Sequence, residues 1–410
     1  MQTLDSNWVR QQFPAFSDPE LEGFVHAENA GGSYACNAVI EQLEHFYRAN
    51  KMQPYYPSAP STAGGEAMSR ARMRLAQWLG VKDQELQLGP STTQNTYVLA
   101  QALRQYLQPG DEVVVSAQDH EANVGALHRL AEAGFTVREW QVDPHSGELS
   151  EAGLHAVMTE RTRVVAFTHC SNVVASINPV PQWCQKIRAA GALSIVDGVS
   201  YAPHGLPQVP RLGADIYLFS LYKVYGPHLG VMTMRQEWNE RLPNQGHFFN
   251  ADKPSARFTP AGPDHAQVAA VNGVVDYFEA LHRHHFAGAD EAQAPARVHE
   301  LLRAQEKALT QPLLDFVQSH PRLHLIGQDQ AEHRAPTVSM TVTGTSPQAL
   351  CEALAAQGIG TGYGNFYAWR LMEGLQIDPD EGVLRCSFVH YNTEDEVERL
   401  KATLEQLLAA

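Results

Sequence analysis

Nowhere in the 410 residues do eighteen apolar side chains run together, and the opening MQTLDSNWVRQQFPAF has no basic stretch followed by an apolar one. Neither a membrane span nor a secretion signal is expected, and the reading is a soluble cytoplasmic protein. Positive charge is scarce: 30 Lys+Arg against 45 Asp+Glu leave a net charge of −15. That field repels nucleic-acid phosphates and anionic lipid, so small molecules are the expected partners. The five cysteines, Cys36, Cys170, Cys184, Cys351 and Cys386, are scattered and show no CxxC spacing. Zinc and redox-disulfide sites are not expected, and buried thiols are. No GxGxxG follows a strand; AGGS at 30–33 lacks the spacing of a dinucleotide fingerprint. The tract HRHH at 282–285 could hold a metal but lies in an alanine- and charge-rich helical stretch. It reads as a solvated face, and no metal site is expected.

What is present suits a two-domain globular protein, with 44% apolar residues to fill both cores. From about 66 to 235, DEVVVSAQ (111–118), RVVAFTHC (163–170), LSIVDGV (193–199) and IYLFSL (216–221) read as buried strands. Helical patterns such as PVPQWCQKIRAAG (179–191) lie between them. The alternation predicts an α/β fold, a parallel sheet covered by helices on both faces, whose strand ends hold ligands. A loop rich in Pro, Gly and Asn (241–265) separates this from a long helical segment (266–318) and from shorter strand and helix signals, the last helix opening at Thr393. The expected division is a large domain at 22–265 and a small α+β domain made of 1–21 and 266–410.

Four features fall at strand ends. GPSTTQNTY (89–97) places small hydroxyls before a helix, where free N–H groups suit a phosphate, although a plain helix cap explains them equally. SAQDHEAN (116–123) puts His120 just past a strand. Asp197 follows LSIV directly, and a buried carboxylate needs a turn N–H or a cation as partner, of which a protonated pyridine nitrogen is one. Lys223 lies within FSLYKVYGPHLG; burial there lowers its pKa and makes it a nucleophile for carbonyls, the alternative being a lysine that snorkels to the surface.

Together with HAENAGGS, HCSNVVASINPV and VLRCSFVHYNTEDEVERL, these motifs resemble the class V aminotransferase family of pyridoxal 5'-phosphate (PLP) enzymes. The likeness is strongest to its cysteine-desulfurase-like branch and runs over nearly the whole chain. It implies the PLP-dependent transferase fold of type I, with a mostly parallel seven-stranded sheet, a smaller α+β C-terminal domain and a homodimer. It implies Lys223 as the Schiff-base lysine, Asp197 on the pyridine nitrogen and His120 stacked on the ring, where it shuttles protons. Thr92, Thr93 and Ser220 fall at the phosphate, and Ser200 takes a cofactor position where many relatives have glutamine. Asn172 falls near the ring hydroxyl and the substrate carboxylate, Arg385 clamps that carboxylate, and Asn29 stands on the substrate side.

The resemblance also has departures. Gly262, in RFTPAGP, replaces a threonine that relatives send to the partner subunit's phosphate. The segment GIGTGYGNFYAWR (358–370) holds no cysteine where the desulfurases carry their sulfur-accepting thiol, and persulfide chemistry needs a thiolate there. The expected activity is on a small L-amino acid, through an external aldimine and removal of the Cα proton. It would end as a C–S or C–Se lyase or an aminotransferase. Racemisation or epimerisation, and a PLP-binding module without catalysis, are the alternatives.

Overall fold

The apolar runs fold as strands where the pattern predicts them. The computed structural model describes residues 2–409, so Met1 and Ala410, the outer limits of the expected small domain, lie outside the described residues. Seven strands form the large sheet: β1 (Leu86–Gly89), β2 (Glu112–Ser116), β3 (Thr136–Trp140), β4 (Thr162–Thr168), β5 (Leu193–Asp197), β6 (Ile216–Ser220) and β7 (Gly230–Met234). Their order is β1-β7-β6-β5-β4-β2-β3. The pairs β6–β5, β5–β4, β4–β2 and β2–β3 are parallel, and β7 runs antiparallel to both its neighbours. Its reversal follows from length: residues 221–229 are too few for a parallel crossover, which takes about a dozen or more.

Alternate residues of the central strands feed opposite cores. Val114, Val165, Val196, Tyr217 and Phe219 join one cluster, while Val113, Val164, Ile195, Ile216 and Leu218 join the other. Burial on both faces is what continuous Val/Ile/Leu runs encode. The sequence reading did not mark β1, β3 or β7. LQLG is only a single short run, and TVREW is an edge strand with Thr136 and Glu139 exposed.

Helices α1 (Ala59–Leu79), α2 (Thr92–Tyr106), α3 (Glu121–His128) and α4 (Val180–Ala189) flank this sheet. The long helical segment is two helices, α5 (His265–His285) and α6 (Ala294–Ser319). Although the loop punctuation puts α5 in the small domain, its apolar face packs with the main core. It is tied to α1 by Arg74 to Asp276 (2.7 Å) and by stacking of Trp78 on Phe278. The HRHH tract is only half a solvated face, with Arg283 and His284 exposed. His282 and His285 are buried, and His284 stacks on Trp8 and bonds Asp5, so the tract seats the N-terminal segment.

A second sheet of β8 (Leu323–Ile326), β9 (Thr337–Val342), β10 (Gly362–Gly364) and β11 (Val383–Ser387) is antiparallel, in the order β10-β11-β9-β8. It shares a core with α6, α7 (Pro347–Ala355) and α8 (Glu394–Ala409) through Leu313, Leu354 and Leu404. The helix start expected at Thr393 is a capping box: Thr393 Oγ1 accepts from Glu396 N–H and Glu396 Oε2 accepts from Thr393 N–H, each at 3.2 Å. All five cysteines are buried, and no described helix is long and apolar enough to cross a membrane.

Candidate active site

The C-terminal ends of β1, β2, β4, β5 and β6 converge on a cavity of about 290 Å³. Thr92, Thr93, His120, Asn172, Asp197, Ser200, Ser220 and Lys223 all line it, so the sequence-predicted cofactor residues come together. At its floor, Asp197 ends β5 and its Oδ1 accepts the Val199 N–H at 2.7 Å. Burial pushes this carboxyl up to about 6, against the lowering effects of the Val199 N–H and the Lys223 charge. The turn after it demands glycine: a Cβ on Gly198 would meet the Tyr217 ring at 2.0–2.3 Å.

Lys223 closes the single turn after β6 and is 6% exposed. Burial, helped by the Arg385 charge and opposed by Asp197 and Glu28, brings its amine down to about 8. The turn is held by Ser33, whose N–H and Oγ both donate to Tyr222 O (3.3 Å) while its Oγ accepts from Tyr225 N–H (3.0 Å). A substantial neutral fraction near neutral pH is what a carbonyl-attacking amine requires.

The phosphate-like end lies at the start of α2. Ser91 caps it by accepting from Gln94 N–H, and the buried Thr92 Oγ1 and Ser220 Oγ are 2.7 Å apart. Strand β7 comes so close that a Cβ on Gly230 would sit 2.2 Å from the Ser91 carbonyl carbon. The free N–H groups of a helix start, with two hydroxyls beside them, suit an anion.

His120 caps α3: its Nδ1 accepts the Ala122 N–H at 2.9 Å, which assigns the ring proton to Nε2. Burial, then the charges of Lys223 and Arg385, lower it to about 3, so the ring stays neutral. Sequence reasoning missed its neighbour Asp119, a fully buried carboxyl bonded by Ser116 Oγ and by Asn123 Nδ2 (2.6 Å). Burial, followed by the charge of Asp197, pushes Asp119 up to about 8.

The substrate side differs from expectation. Arg385 is almost fully buried, but its Nε and Nη2 donate to the carboxylate of Glu28, Nη1 donates to Asn172 O (2.9 Å), and the Phe366 ring lies 3.6 Å from the guanidinium. The expected carboxylate clamp therefore already holds a carboxylate of its own chain. Asn29, expected on the substrate side, has its polar atoms engaged within the chain. Its Nδ2 donates to His26 O, Ser387 O and Asn392 Oδ1 and its Oδ1 accepts from Tyr391, which consumes its polar atoms in a structural network.

The cysteine-free loop is pinned across the site. Phe366 O accepts from Asn172 Nδ2 (2.9 Å), Tyr367 O accepts from Glu121 N–H (2.8 Å), and the Tyr367 ring lies 5.2 Å from His120. Both Phe366 and Tyr367 have left-handed φ, 51° and 58°, a costly conformation for aromatic residues that the surrounding contacts maintain. Arg370 ties the loop end to Glu121 (2.7 Å) and Glu139 (3.0 Å).

These residues fit PLP. Asp197 suits a protonated ring nitrogen, Lys223 the aldehyde and the α2 start the phosphate, while Asn172 Oδ1 is buried without a partner among the described residues, as a group awaiting a donor would be. The model of the aminotransferase class-V family matches residues 25–400. The chain is 34% identical to the aminotransferase-like protein FGM3 of Gibberella zeae, with 98% of each covered. It is 30% identical to a probable cysteine desulfurase of Pseudomonas aeruginosa, with 99% of each covered. Its fold matches the apo cysteine desulfurase of Thermococcus onnurineus NA1 with a TM-score of 0.86 at 21% identity, over 100% of this chain and 99% of that one. The cysteine desulfurase CsdA of Escherichia coli matches at 0.83 and 24%, over 99% of each.

Proposed function

The chain belongs to the class-V aminotransferase family of PLP-dependent enzymes, and from that premise we propose that it binds PLP at Lys223. It then deprotonates a small L-amino acid at Cα and completes either a β-elimination or a transamination without a protein persulfide. The observation that supports this most is that one cavity holds both a desolvated lysine amine and a strand-end carboxylate.

Bound PLP would supply an electron sink for the pair left at Cα. Lys223 is the residue that would act as base: an amine brought down to about 8 takes a proton and returns it near neutral pH. Asp197 would serve as counter-ion to a protonated ring nitrogen. Neutral His120, which lines the same cavity, would cover the ring and presents an Nε2–H at the site. Arg385 would orient the substrate carboxylate by sharing its guanidinium with Glu28, Asn172 would offer its free Oδ1 to a donor of cofactor or substrate, and the loop of Phe366 and Tyr367 lies against both residues.

Sulfur transfer through the protein is disfavoured. Burial pushes Cys36, Cys170 and Cys184 up to about 12 and Cys386 higher still, so these thiols hold their protons. A homodimer is part of the proposal, supported by the exposed Phe248, Phe249, Tyr55 and Tyr56.

The test is incubation of the PLP-loaded protein with a panel of amino acids, reading keto acid, pyruvate, sulfide and the protein's own mass. Keto acid with conversion of the cofactor to its amine form, or catalytic pyruvate with free sulfide or selenide, is expected. A persulfide on a protein cysteine, or no product from any amino acid, contradicts the reading.

A further inference from the structure

We infer that His228 is a ligand of the cofactor phosphate, an inference that rests on the PLP reading above. The imidazole lines the same cavity as Ser91, Thr92, Thr93 and Ser220. Its Nδ1 lies 3.2 Å from Pro90 O, the carbonyl just before the α2 cap. A carbonyl only accepts, so Nδ1 carries a proton and Nε2 is the nitrogen left for a ligand. The ring is not loose: it stacks on Tyr222 with centroids 4.9 Å apart and planes 6° apart. Tyr222 is the residue before Lys223, and Ser33 fixes its backbone. Strand β7, which starts two residues after His228, lies against the Ser91 backbone. The histidine is thus fixed on two sides, at the start of α2 and beside the attachment lysine.

Charge makes the same assignment. Apart from Lys223, no lysine or arginine lines the cavity, and its phosphate-like end offers hydroxyls and N–H groups only. A phosphate there only accepts, so the bond from His228 would be an Nε2–H donated to an anion, which is charge-assisted.

The experiment compares equilibrium binding of PLP and of pyridoxal, which lacks the phosphate, to apo-protein of the wild type, His228→Ala and His228→Lys. His228→Ala is expected to weaken PLP on the order of tenfold, the worth of one hydrogen bond to a charged group. Pyridoxal affinity should not change, and His228→Lys should recover part of the loss. Equal weakening of both ligands, or none of either, overturns the role. If His228→Ala fails to fold, the same comparison on His228→Gln decides. Wild type that binds neither compound would instead overturn the PLP reading itself.

Discussion

Glu28 sits where a substrate carboxylate is expected, bonded to Nε and Nη2 of Arg385, with its charge felt at Lys223. A substrate anion must compete with it or share the guanidinium. Glu28→Gln keeps the shape and removes the competing charge, so KM for a carboxylate substrate should fall several-fold while kcat changes less. Steady-state kinetics on the identified substrate checks this, and a rise in KM would mean that Glu28 aligns the clamp instead. Lys223, Asp197 and His120 were legible in the sequence because each is a polar residue at, or within four residues of, the end of an apolar strand, where burial forces a reason for it. Glu28 and Asp119 were not. The partner of Glu28 lies near the other end of the chain, and nothing local marks Asp119 as a carboxyl kept protonated by burial beside Asp197. Asn29 misled for the same reason: a motif gives a position, while the atoms that consume its hydrogen bonds come from 387–392.

Among the elements, the loop from β10 into Arg370 decides how the site closes. Its two ion pairs, Arg370 to Glu121 and to Glu139, are partly exposed and worth up to about 1 kcal/mol each. Arg370→Ala should therefore leave PLP content unchanged, speed amide exchange across 362–370 and raise KM by less than about tenfold. Hydrogen exchange with and without substrate is the check, and unchanged exchange would show that the backbone bonds of Phe366 and Tyr367 suffice alone. The four long apolar strands could be read from composition because both their faces are buried. The antiparallel direction of β7 could not, since periodicity carries no direction and only the length of 221–229 constrains it. The HRHH tract was misjudged because an isolated helix face gives no sign that Trp8 and Asp5 return to cover it.

At the scale of the molecule, the large sheet supplies the cavity floor and the second, antiparallel unit supplies Arg385 and the loop beside it, so the proposed chemistry draws on both. The α/β class followed from alternating strand and helix signals, and the seven-stranded sheet from the family resemblance. Where one unit ends by packing was hidden, because α5 follows a loop like a new domain yet packs on α1. The central claim is that this architecture exists to hold PLP on Lys223. Its most direct test is the near-ultraviolet and visible spectrum of the purified protein with added PLP, before and after borohydride, beside Lys223→Ala. The account predicts a visible band in the wild type that borohydride abolishes, fixing the cofactor to a peptide containing Lys223, and no such linkage in the variant. A wild type that stays colourless with PLP, or a linkage that persists in Lys223→Ala, would contradict it.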